Sequence, residues 1–140
     1  MYLEERKNPD DYVELIYVIS EENSKGIARI KEISSALGVY PSTATEMMQK
    51  LSEKGYVIRS NYEGVKLTEK GRRYARQVLA RHRILECFFL QYLNLNPSEV
   101  KDEICGIEHH LSPRTLKRLH EKLGRPATCP HGKPIPLFEA

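Results

Sequence analysis

The chain has 140 residues, 40% hydrophobic and 29% charged, with a formal net charge of +3. That balance describes a soluble globular protein of one domain or two small ones, and the weak positive charge does not by itself identify a nucleic-acid partner. The apolar run from Ile84 to Leu95 is interrupted by Glu86 and Gln91 and is too short to span a bilayer. The first residues lack an apolar signal core, and the three cysteines have no disulfide-framework spacing, so a reducing cytoplasm is expected.

Pro9 followed by Asp10 and Asp11 suits a helix start, and Tyr12, Leu15, Ile16 and Ile19 recur at helical spacing, predicting a first helix over Pro9–Glu22. Gly26 breaks the chain, Ile27–Arg29 reads as a short strand, and Lys31–Leu37 as a second helix stopped by Gly38. A third helix begins at Tyr40-Pro41-Ser42-Thr43, buries Met47, Met48 and Leu51, and ends at Gly55. Tyr56–Arg59 and Val65–Leu67 read as strands joined by a polar loop, Ser60–Gly64. Three helices and a hairpin make the winged helix-turn-helix order. Thr68 caps a long helix running to about Leu93, followed by helices over Pro97–His110 and Pro113–Leu123 and an extended tail, Arg125–Ala140. The expected fold is mainly α, with a winged helix-turn-helix DNA-binding domain over 1–70 and an all-helical domain over 71–140.

Met1–Ser24 holds seven acids against two basic residues, whereas Lys25–Lys66 holds seven basic residues against four acids. An acidic segment beside a basic one is awkward for a DNA binder, and a divalent cation docked on the acids would ease the conflict. In a helix-turn-helix the second helix offers its N-terminal side chains to base edges. Here Pro41 starts that helix, Ser42, Thr43 and Glu46 face the groove, and Tyr40 stands at its mouth. Thr45, Lys50, Arg59 and Lys66 suit phosphate contacts, which position rather than specify.

Cys105, Glu108 and His109 stand at i, i+3 and i+4, so one helix face presents a thiol, a carboxylate and an imidazole within roughly a 100° arc. His82 and Glu86, one turn apart, and Asp11 and Glu14, at i and i+3, offer further nitrogen and oxygen ligands. Each pair alone also reads blandly: Arg81-His82-Arg83 as a solvated basic turn with Glu86 paired to Arg83, and Asp11 with Glu14 as an acidic helix start. Cys87 reads as a core thiol. Cys129-Pro130-His131-Gly132 reads as an ordered turn held by Pro130 and Gly132 rather than a metal site, because its spacing is unusual for structural zinc.

Six blocks together resemble the diphtheria toxin repressor family, which includes iron-dependent regulators and manganese transport regulators. They are Asp11–Tyr17, Pro41–Met47, Gly64–Gly71, Arg81–Glu86, Cys105–Ser112 and Cys129–Pro136. The resemblance implies a two-domain homodimeric repressor, with 71–140 as its metal-binding and dimerisation domain, that binds Fe(II) or Mn(II) and then grips palindromic operators of metal-homeostasis genes. By motif position Asp11, Cys105, Glu108 and His109 match the activating site, His82 and Glu86 an ancillary site, and Glu14 a ligand of manganese-type members.

Two departures stand out. Asp11 is the manganese-type residue, while Cys105 is the iron-type one, so the site is a hybrid; Lys101 stands where iron-type ancillary sites carry a histidine. Thiolate is softer than carboxylate, so Cys105 places Fe(II) first and Mn(II) second. No substrate-holding loop or motif favours a metalloenzyme, and neither a small-molecule substrate nor a membrane partner is expected. A winged-helix regulator sensing oxidation or a small molecule is the remaining rival.

Overall fold

In the computed structural model, which describes residues 8–23, 25–60 and 64–136, the chain divides into two units, Met1–Ala75 and Arg76–Ala140. The first helix, α1 (Pro9–Glu22), begins in a capping box. Asn8 Oδ1 accepts from the amides of Asp10 and Asp11 at 2.8 and 3.4 Å, and Asp11 Oδ2 accepts from the Asn8 amide at 3.0 Å. It buries Tyr12, Val13 and Ile16.

Helix α2 (Ile30–Leu37) ends at Gly38 in the left-handed conformation, as a C-terminal glycine permits, and α3 (Pro41–Glu53) follows with Ala44, Met48 and Leu51 buried. Strands β1 (Val57–Ser60) and β2 (Gly64–Leu67) pair antiparallel, with Val57 opposite Leu67 and Ser60 opposite Gly64. Residues 61–63 of the expected wing loop lie outside the described residues.

The expected strand over Ile27–Arg29 is reduced to one bridge, Ala28 to Val65, with both amide–carbonyl bonds at 2.9 Å. The reason lies on either side of Ala28. Asn23 Oδ1 gathers the amides of Lys25, Gly26 and Ile27 into a turn, and α2 already starts at Ile30. Gly64 permits the close approach, since a Cβ there would lie 2.2 Å from the Ala28 carbonyl oxygen.

Helix α4 (Glu69–Glu86) is shorter than expected: from Cys87 to Tyr92 it widens into a π-helical segment. That wider turn buries Cys87 and Phe89 while Phe88 and Tyr92 stack at 5.8 Å and Tyr92 remains 66% exposed. Helices α5 (Pro97–Glu108) and α6 (Pro113–Lys122) each begin with a capping side chain, Asn96 and Ser112, and a proline. Two apolar clusters fill the second unit: Ala80, Ile84, Cys87, Leu116 and Ile135 in one, Leu85, Phe89, Val100 and Ile104 in the other.

The expected extended tail is instead folded back as far as it is described. Thr128 bridges Pro134, the Cys129 amide donates to the Lys133 carbonyl at 2.8 Å, and the Ile135 amide donates to Ala127 at 2.9 Å. Gly132, at φ +82°, allows the tight reversal, and burial of Cys129 and Ile135 rewards it. Residues 137–140 lie outside the described residues, and no helix among those described is long and apolar enough to cross a membrane.

Candidate metal centre

The last turn of α4 places His82 and Glu86 on one side, with His82 Nε2 3.5 Å from Glu86 Oε2. The other imidazole nitrogen, Nδ1, lies 3.1 Å from Glu108 Oε1 on α5. Glu108 is buried, and its second oxygen, Oε2, has no hydrogen-bond partner among the described residues. A buried carboxylate oxygen left unsatisfied is costly, and a cation is the simplest partner that satisfies it.

Glu86 pairs with imidazoles and not with Arg83, the alternative its neighbourhood in the sequence allows. The Arg83 guanidinium donates to the Pro134 carbonyl, while Glu86 Oε2 faces two imidazoles, His82 and, at 3.3 Å, His131 Nδ1. Burial pushes the Glu86 carboxyl up, but the hydrogen bond and charge of His82, with His131 and Arg83, outweigh it and hold the group below its ordinary value.

The tail loop brings Cys129 to the same place. Ligand atoms of Glu86, Cys129 and His131 all lie within 4.8 Å of one another, with Cys129 buried and His131 exposed. The turn at Pro130 and Gly132 is thus ordered, and it also assembles a thiol, an imidazole and a carboxylate. Sequence reading passed over this set because Glu86 is far away in the chain; the clue was the Cys-x-His pair itself, whose unusual spacing matters less once a third ligand comes from a helix.

Cys87, next to Glu86, belongs to the core. Burial raises its thiol, helped by the charges of Cys129 and Glu86, and its Sγ donates to the Thr128 carbonyl at 3.5 Å. A thiol held protonated is a poor ligand.

On α5, Cys105 is half-buried, His109 is the half-buried C-cap residue and Lys101 is exposed. In the first unit, Asp11 serves the capping box of α1, and Glu14 is half-buried one turn along. On α3, Tyr40 is 78% exposed at the N-cap, Pro41, Ser42, Thr43, Glu46 and Lys50 are exposed and Thr45 is half-buried. Arg59 and Lys66 are exposed on the hairpin. An open depression of about 730 Å³ beside α2 is lined in part by Lys25, Arg29 and Lys31, three cations the sequence reading did not assign.

Residues 6–65 match the family described as iron dependent repressor, N-terminal DNA binding domain; residues 68–137 match iron dependent repressor, metal binding and dimerisation domain. The chain belongs to the iron-dependent repressor family. This is the family to which the six sequence blocks pointed. A Bacillus pumilus relative, HTH-type transcriptional regulator MntR, is 41% identical over 110 residues, 79% of this chain and 74% of the relative. Among solved structures of the family, the manganese regulator SloR aligns with a TM-score of 0.83 at 32% identity, covering 96% of this chain and 64% of that one. A manganese-dependent transcriptional repressor in complex with manganese aligns with a TM-score of 0.82 at 38% identity, covering 93% and 59%. The chain thus spans under two thirds of the length of these two solved regulators.

Proposed function

We propose that the chain is a cytoplasmic, homodimeric transcriptional repressor that binds palindromic operators of metal-homeostasis genes when loaded with Mn(II). The observation that carries the metal half is the buried, unpartnered Glu108 Oε2 beside His82, in a unit that also gathers Glu86, Cys129 and His131. Glu108, His82 and Glu86 form one ligand group in this proposal, together with Cys105 and His109 from α5. Cys129 and His131 form a second group on Glu86. Asp11 and Glu14 enter on their motif positions alone.

Iron ranked first in the sequence reading because of Cys105. The relatives weigh the other way: the regulator SloR and the second solved protein, a repressor, are named for manganese. Carboxylates from Glu86, Glu108, Asp11 and Glu14 also suit a hard cation. Fe(II) stays as the second reading, favoured by the thiols of Cys105 and Cys129.

Bound metal supplies positive charge to an acidic site and so stabilises one arrangement of the residues around it. The chain's own residues supply the DNA contacts. Ser42, Thr43 and Glu46, with Tyr40 and Pro41 at the helix start, reach base edges. Thr45, Lys50, Arg59 and Lys66 hold phosphates, joined by Arg29 and Lys31. Metal must bind the DNA-competent form more tightly, and DNA then raises metal affinity by the same factor, typically about 5–150-fold.

The test is anaerobic retention of short genomic duplexes by the metal-stripped protein with Mn(II), Fe(II) or chelator. Retention that needs metal and is strongest with Mn(II) is expected. Retention indifferent to chelator would remove metal sensing, and a stronger response to Fe(II) would restore the second reading.

A further inference from the structure

The first unit contains a chain of side-chain contacts that no part of the metal or DNA chemistry above uses. The Tyr74 hydroxyl, on α4, donates to Asp10 Oδ1 in the first turn of α1. The Tyr74 ring packs against Tyr56 with centroids 4.8 Å apart and planes tilted by 49°. Over the Tyr56 ring stands the Lys70 ammonium, 4.8 Å from the centroid, and the same Nζ donates to the Lys54 carbonyl at 2.9 Å. Lys54 is the C-cap of α3, the helix that offers side chains to DNA.

The backbone around Tyr56 leaves little slack. Its amide donates to Leu51 O at 2.9 Å, its carbonyl accepts from the Thr68 amide at 3.0 Å, and a Cβ at Gly71 would come within 2.0 Å of that carbonyl oxygen. Close-packed groups of this kind pass a displacement on rather than absorb it.

We propose that Tyr74 is a positioning residue that links the first turn of α1, where the proposed ligand Asp11 stands, to the C-terminal end of α3, so that the metal response of DNA binding is transmitted through Tyr74, Tyr56 and Lys70. Asp11 and Asp10 share one turn, and their amides share one cap on Asn8. A shift of Asp11 toward a cation therefore moves Asp10, and the Tyr74 hydrogen bond carries that motion to the aromatic pair. Lys70 then acts on the C-terminal carbonyl end of α3, a place where a cation is favoured by the helix dipole. The inference rests on the metal reading of Asp11. Continuity of contacts becomes coupling only when perturbing the middle changes the ends, so the test perturbs the middle.

Two variants serve. Tyr74→Phe keeps the ring and removes the hydroxyl; Lys70→Met keeps the stem and removes the charge. For each, DNA affinity is measured with Mn(II) and with chelator, and Mn(II) affinity is measured by calorimetry without DNA. The expected result is wild-type Mn(II) affinity and wild-type DNA affinity in chelator, with the metal-dependent gain in DNA affinity reduced about tenfold, the scale of one hydrogen bond to a charged group. A residue of merely structural importance would weaken DNA binding in chelator and metal alike. An undiminished gain in both variants overturns the proposal, as does a gain lost only in step with Mn(II) affinity. Should wild-type protein show no metal-dependent gain at all, the metal reading fails first and takes this one with it.

Discussion

Glu108 makes opposite demands on the metal-free and metal-loaded protein. Without metal it is a buried carboxylate with one oxygen on His82 and the other unsatisfied; in the proposed metal-loaded form that oxygen is a ligand. Glu108→Gln should therefore leave the metal-free protein as stable as wild type or more so in a urea titration, while calorimetry shows Mn(II) affinity down by at least about 100-fold, since changing a group that merely orients a ligand already costs about 10–100-fold. A variant destabilised without metal and unaltered in metal affinity would contradict the assignment. Glu86 permits a pH test in the metal-free state. Its carboxyl is held below the ordinary value, so its contribution to stability is present above that value and is lost as pH falls through the lower, folded one. Glu86→Gln should accordingly lower the melting temperature most in the neutral region and least at acid pH, where wild type has already lost the contribution, so that the acid side of the profile is flattened. Cys105→Glu should shift activation further toward Mn(II), measured as the ratio of DNA retention with Mn(II) to that with Fe(II). These residue types were visible in the sequence. What periodicity could not supply was their grouping: His82 with Glu108, and Cys129 and His131 with Glu86, are pairings across tens of residues.

Elements were more legible than their joints. Helix α1 begins and ends where Pro9, the two following acids and the apolar spacing place it, because local capping and periodicity act together there. The strand expected over Ile27–Arg29 failed because Asn23 captures three amides just before it, a side-chain contact that β-propensity does not register. The π-helical widening after Glu86 left no mark in an apolar run whose residues suit either helix. The hairpin carries an element-scale prediction. Lys66→Ala or Arg59→Ala should weaken binding to all duplexes similarly and reduce the slope of log affinity against log salt by about one, as loss of one phosphate contact does. Thr43→Ala should instead change which duplexes are retained. At α4, Gly71→Ala should cost about 3 kcal/mol in chemical denaturation, since the added carbon overlaps the Tyr56 carbonyl oxygen in a packed region.

At the scale of the whole chain, the metal reading makes stability depend on ion concentration. A ligand that binds only the folded form at a free concentration about 100 times its dissociation constant adds about 2.7 kcal/mol. Mn(II) should raise the melting temperature and excess chelator should reverse the shift; an unchanged melt across that range would argue against any folded-state site. The Asp11 carboxylate that is proposed to meet metal also accepts the Asn8 amide that starts the helix. A genetic screen that scores derepression at position 11 would therefore collect two phenotypes under one allele, a lost ligand and a frayed helix start of about 1 kcal/mol. Asn8→Ala, which weakens the same cap and leaves every proposed ligand in place, separates them.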